Sequence, residues 1–112
     1  RARYEEDRAR DLLLNGERGI DAAIAEHDLD ALLFPGSGGA GIAARPGYPT
    51  VIVPFALTQS DFDPPLPADF DVQPRPFGVS FTGGACSEPR LIELAYAFEQ
   101  ATMRRVAPPG MN

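Results

Sequence analysis

The sequence predicts an α/β protein: a β-sheet of about three strands flanked by helices. Three observations carry that reading. The apolar runs at 31–34 (Ala31, Leu32, Leu33, Phe34) and 51–53 (Val51, Ile52, Val53) are too short for helices and are bounded by Pro and Gly, as strands buried on both faces would be. The stretch 77–81 alternates apolar and small residues, as a strand with one face on the core does. Helical spacing of leucine, isoleucine and alanine precedes the first run and follows the last.

In chain order, charged residues and leucines predict a helix over about 2–14, broken at Asn15-Gly16, with Asn15 capping a second helix over about 17–27. Ile20, Ala23, Ile24 and His27 fall on one face of that second helix. His27 closes the apolar stripe in the last turn, where an imidazolium complements the helix dipole, and no orienting partner for a catalytic role is evident. A strand is expected over about 30–35, then a glycine-rich loop. Residues 40–45 leave room for about a turn and a half of helix before Pro46-Gly47 stops it. The β-branched run before Pro54 predicts a strand over about 50–54.

The segment 58–76 is proline-rich and carries Asp61, Asp63, Asp69 and Asp71. It reads as an extended surface loop whose charges are solvated, because it lacks the glycine and terminal glutamate of a calcium loop. A third strand over about 76–82 is expected to pair antiparallel with 50–53. Gly83-Gly84 then turns the chain, Ser87 is placed as an N-cap with Pro89 in the first turn, and a helix follows over about 88–104. Its inner stripe is Leu91, Leu94, Ala95, Phe98 and Thr102.

Composition excludes several functions. The 112 residues suit one domain, residues 1–112, and the net charge of −6 argues against a nucleic-acid partner. No apolar run approaches the roughly 20 residues that span a bilayer, so no membrane role is expected. All ten basic residues are arginine; the chain has no lysine. A single cysteine, Cys86, rules out an internal disulfide and a cysteine-cluster zinc site, and fits a reducing, cytoplasmic setting. We expect Cys86 to be a partly buried structural thiol. The chain starts at Arg1 within a helical pattern, and we expect it to be a piece of something longer.

The glycine loop invites two chemical readings, and neither holds. Gly36-x-Gly38-x-x-Gly41 after a strand has the dinucleotide spacing, with Asp61 about twenty residues on, but Pro46-Gly47 cuts off the helix that would face a pyrophosphate. Ser37 sits almost in a nucleophile elbow, but Pro35 replaces the first glycine, His27 precedes the serine, and no lysine offers another base. No catalytic residue, cofactor site or metal site is therefore assigned within this chain.

Four ordered stretches carry a resemblance. They are Leu29-Asp30-Ala31-Leu32-Leu33-Phe34-Pro35, Arg45-Pro46-Gly47-Tyr48-Pro49-Thr50-Val51-Ile52-Val53-Pro54, Pro76-Phe77-Gly78-Val79-Ser80-Phe81-Thr82-Gly83, and the helix from Ser87 through Ala95-Tyr96-Ala97-Phe98-Glu99-Gln100-Ala101-Thr102. Together the chain resembles the C-terminal part of an amidase signature family enzyme, with a longer acidic loop than usual. The resemblance implies part of a central mixed β-sheet and, for the intact enzyme, hydrolysis of a carboxylic amide through a serine acyl-enzyme. The family's Ser, cis-Ser and Lys belong to portions not present here, so the chain alone is expected to be inactive.

By the same resemblance the loop after the first strand approaches the substrate pocket, which makes Ser37, Gly38 and Gly39 candidate pocket-lining residues. The implied partners are the missing N-terminal catalytic portion and, in the intact enzyme, a small-molecule amide. Self-association through an exposed sheet edge is also expected. The alternative is a free-standing small α/β binding or interaction module that uses the glycine loop and the acidic segment.

Overall fold

The computed structural model describes residues 1–59, 65–70, 72 and 74–107. Its elements are α1 (Ala2–Asp11), a π-helical segment (Leu12–Asp21), α2 (Ala22–His27), β1 (Leu32–Pro35), α3 (Ala40–Ala44), β2 (Thr50–Thr58), β3 (Arg75–Thr82) and α4 (Glu88–Thr102).

The predicted break at Asn15-Gly16 does not occur. α1, the π-helical segment and α2 follow one another without interruption, and both junctions are right-handed helical. Asn15 is not a cap: its Nδ2 donates back to the Asp11 carbonyl at 3.2 Å. Gly16 and a second glycine of this run, Gly19, serve close packing instead. A Cβ on Gly19 would sit 2.7 Å from the Leu14 carbonyl oxygen, and one on Gly16 would sit 3.1 Å from Tyr48 Oη. A widened helical turn accepts such contacts only where side chains are missing. Asp28, in the left-handed conformation, ends α2.

The three strands form one antiparallel sheet in the order β1-β3-β2. The expected pairing of β3 with 50–53 is present, with Val51 opposite Phe81 and Val53 opposite Val79. β1 and β2, the two runs expected to be buried on both faces, are the terminal strands and do not pair with each other. Each pairs only with β3, and β2 runs past Pro54 to Thr58 through a bulge between Pro54 and Ala56.

Directly paired residues share a face. Leu32, Phe34, Ser80, Thr82, Thr50 and Ile52 therefore lie on one side, and Leu33, Phe81, Val79, Val51 and Val53 on the other. α4 covers the second side. Its Phe98 ring lies 5.7 Å from that of Phe81 and 6.0 Å from that of Phe55, and Leu91 and Ala95 are buried beneath it.

Ser87 leaves its capping role unfilled, because its Oγ donates to the Gly84 carbonyl at 2.8 Å. On the first side Ser80 and Thr82 are fully buried. The strands are not covered on both faces as the apolar runs predict: Leu33 is 58% exposed and Ile52 is 54% exposed. Cys86 is exposed rather than partly buried, at a left-handed φ of 59° in the turn before α4. Asp61, Asp63 and Asp71 lie outside the described residues, and Asp69 is exposed.

Candidate functional site

The loop between β1 and α3 is a tight hydrogen-bonded turn. Gly36 takes φ +57°, a conformation that glycine adopts without penalty, and its N–H donates to the Gly78 carbonyl at 2.7 Å. Gly38 N–H donates to the Pro35 carbonyl at 3.1 Å, and Ala40 N–H to the Ser37 carbonyl at 3.0 Å. α3 then begins from the Gly39 carbonyl, which accepts from Ala43 N–H at 3.0 Å.

The three candidate residues divide. Ser37 and Gly38 are exposed at the tip, whereas Gly39 is buried. A Cβ on Gly39 would lie 2.3 Å from Thr82 Oγ1 and 2.6 Å from Phe34 Cδ2, so the Thr82 and Phe34 side chains fill the space where any side chain would go. Thr82 Oγ1 in turn shares a hydrogen bond of 2.9 Å with Thr50 Oγ1, which ties the loop's floor to both β3 and β2.

Two long-range contacts, which local pattern does not reveal, hold the frame of this loop. Arg90 on α4 grips Asp30 with both guanidinium arms, Nε to Oδ1 at 3.1 Å and Nη2 to Oδ2 at 3.0 Å, just before β1 begins. The hydrogen bonds and then the charge of Arg90 hold the Asp30 carboxyl below its ordinary range. Tyr48 Oη donates to Asp21 Oδ2 at 2.6 Å, joining the chain after α3 to the π-helical segment. That hydrogen bond first, and burial second, raise the Tyr48 phenol above its usual value.

The geometry gives no support to the chemical readings of the loop's spacing. α3 is a five-residue helix, Gly41 is exposed, and His27 is exposed at the end of α2. Among the described residues no group of three His, Cys, Asp or Glu side chains is placed to hold a metal ion. A polar hollow of about 420 Å³ is lined by Asp7, Arg10, Asp11, Leu14, Asn15 and Arg45, where Arg45 pairs with Asp11 at 3.2 Å. A smaller apolar hollow of about 290 Å³ lies across β2 and β3 at Ile52, Pro54, Pro76 and Phe77. Ser37, Gly38 and Gly39 line neither. No described helix is long and apolar enough to cross a membrane.

No family model matches the chain. Its relatives are nonetheless amidases, as the four sequence stretches lead one to expect. It is 41% identical over 90 residues to a probable amidase of Arabidopsis thaliana, an alignment covering 80% of this chain and 15% of that protein. An amidase-named protein of Arthroderma benhamiae is 38% identical over 93 residues, with the same coverages. The fold matches that of the native peptide amidase from Stenotrophomonas maltophilia, with a TM-score of 0.76 and 37% identity over 97% of this chain and 22% of that one. The peptide amidase bound to the competitive inhibitor chymostatin gives a TM-score of 0.70 over 91% of this chain and 21% of that one. The chain thus spans less than a quarter of each protein that it matches.

Proposed function

We propose that this chain is the C-terminal segment of an amidase signature family enzyme, supplying sheet, core and part of a substrate wall while the catalytic residues reside in the remainder. The observation that carries this reading is the match to peptide amidase along 97% of the chain, combined with coverage of only 22% of that enzyme. The intact protein then hydrolyses a carboxylic amide to an acid and ammonia or an amine, through a serine acyl-enzyme. A chain without lysine cannot assemble a lysine-activated serine, so it is inactive alone. The free-standing module has no observation in its favour.

Ser37 and Gly38, exposed at the tip of a turn anchored by buried Gly39, suit a role in lining the substrate pocket from this side. A cytoplasmic location belongs to the same reading and rests on the lone, unpaired Cys86. The test is to produce the chain and the remainder of its polypeptide separately, mix them, and assay ammonia release from amides. Activity in the mixture and in neither part supports the reading; activity in the isolated chain refutes it. In the reconstituted enzyme, Ser37→Tyr is expected to raise KM about tenfold, as crowding of a binding wall does. An unchanged KM removes the loop from the pocket.

A further inference from the structure

Both feet of the candidate loop stand on the central strand. Gly36 N–H donates to the Gly78 carbonyl at 2.7 Å, and buried Gly39 packs against Thr82 Oγ1. Between them Ser37 and Gly38 project as the exposed tip. The chain that leaves this loop returns to the same place. Ala43 is buried and its carbonyl accepts from Tyr48 N–H at 2.8 Å, the Pro49 carbonyl accepts from Gly83 N–H at 3.3 Å, and Thr50 pairs with Thr82 across the sheet.

Thr82 thus joins three segments. It pairs with Leu32 of β1 and with Thr50 of β2, its Oγ1 shares a 2.9 Å hydrogen bond with Thr50 Oγ1, and the same oxygen supports Gly39. It is fully buried. A fully buried position on a central strand ordinarily takes an apolar β-branched side chain, and valine has nearly the outline of threonine. What valine lacks is the oxygen. Ser80, two residues earlier on the same face, is buried as fully, yet its Oγ has no partner among the described residues. The Thr82 hydroxyl differs in having two neighbours, Thr50 Oγ1 and the Gly39 backbone. A methyl group in its place is wider than oxygen and forms no hydrogen bond, so it lifts Gly39 from the sheet and leaves Thr50 Oγ1 without this partner. With Gly36 still bonded to Gly78, lifting one foot alone tilts the tip.

We propose that Thr82 is a positioning residue for substrate binding: through Gly39, its hydroxyl sets the height and tilt of the Ser37–Gly38 tip. This rests on the reading of that tip as part of the pocket wall. Thr82 is buried beneath the loop and the catalytic residues belong to the remainder, so its effect falls on KM and not on kcat.

The test measures amide hydrolysis by the enzyme reconstituted from the chain and the remainder, with Thr82→Val, Thr82→Ser and Phe98→Leu compared. Thr82→Val is expected to raise KM about fivefold and to keep kcat within about twofold, because a displaced wall weakens binding without entering the chemistry. Thr82→Ser keeps the oxygen and therefore keeps the unaltered KM. Phe98→Leu, on the opposite face of the sheet, lowers stability and leaves KM unchanged. If Thr82→Val fails to fold, Thr50→Val replaces it: that change removes the hydrogen bond orienting Thr82 Oγ1, and a rise in KM is again expected. An unchanged KM in the valine variant overturns the proposal, as does an equal rise with Thr82→Ser or Phe98→Leu, or a fall confined to kcat. Each of these results leaves the pocket reading intact when Ser37→Tyr raises KM. An unchanged KM in Ser37→Tyr removes the tip from the pocket, and the positioning role falls with it.

Discussion

At the scale of single residues, the informative positions are those where packing leaves no choice. Gly39 is one. With Thr82 Oγ1 and the Phe34 ring inside van der Waals range of any added Cβ, Gly39→Ala is expected to destabilise the chain by about 1–3 kcal/mol, read from its urea midpoint. Ser80 is the reverse case. Its Oγ is fully buried with no hydrogen-bond partner among the described residues, so Ser80→Ala is expected to be neutral or to stabilise by up to about 1 kcal/mol. A marked loss of stability on that substitution contradicts the assignment. Asp30 yields a pH signature. Its carboxyl is held down in the fold by Arg90, so its contribution is complete above the unfolded-state value and fades as pH falls below about 4. Asp30→Asn should therefore flatten the acid limb of a stability-against-pH curve and leave its slope near neutrality unchanged.

At the scale of elements, local pattern located the helices and strands better than it located their ends. The strand at 77–81 and the stripe from Leu91 to Thr102 were legible from their periods, but central β3 buries Ser80 and Thr82 most fully rather than its apolar Phe77, Val79 and Phe81. The continuity of the N-terminal helical run was not legible. Asn15-Gly16 has the composition of a stop, and what overrides it is the approach of Tyr48 and Pro46, some thirty residues away in sequence. β2 likewise outruns Pro54 because that proline's nitrogen faces the open side, where it costs no ladder bond. α4 is attached to the sheet through buried Leu91 and Ala95 and through Phe98, whose ring meets those of Phe55 and Phe81. Phe98→Ala is expected to cost about 2–4 kcal/mol and to loosen α4 before the β2–β3 ladder, visible as earlier amide exchange in the helix.

At the scale of the whole molecule, α4 is apolar on two sides. Ile92 and Tyr96 are 59% and 63% exposed, about 100° round the helix from the buried Leu91 and Ala95. A helix with two apolar faces and a sheet with an exposed apolar residue on each terminal strand, Leu33 on β1 and Ile52 on β2, are features of a core interrupted at its boundary. The chain alone is therefore expected to bind a hydrophobic dye and to sediment with concentration-dependent association. A stable monomer that binds no dye at high concentration runs against that expectation. The candidate loop was legible as a glycine-rich turn after a strand, and the amidase resemblance was legible from four ordered stretches. Arg90–Asp30 and Tyr48–Asp21 were not, because pairs 60 and 27 residues apart leave no local periodicity. Strand existence, helix faces and the lack of a lysine nucleophile activator follow from residue order alone, since each is a property of neighbours along the chain. Which strand lies in the middle and which glycine admits no side chain emerge with the fold, since each depends on what distant backbone brings into contact.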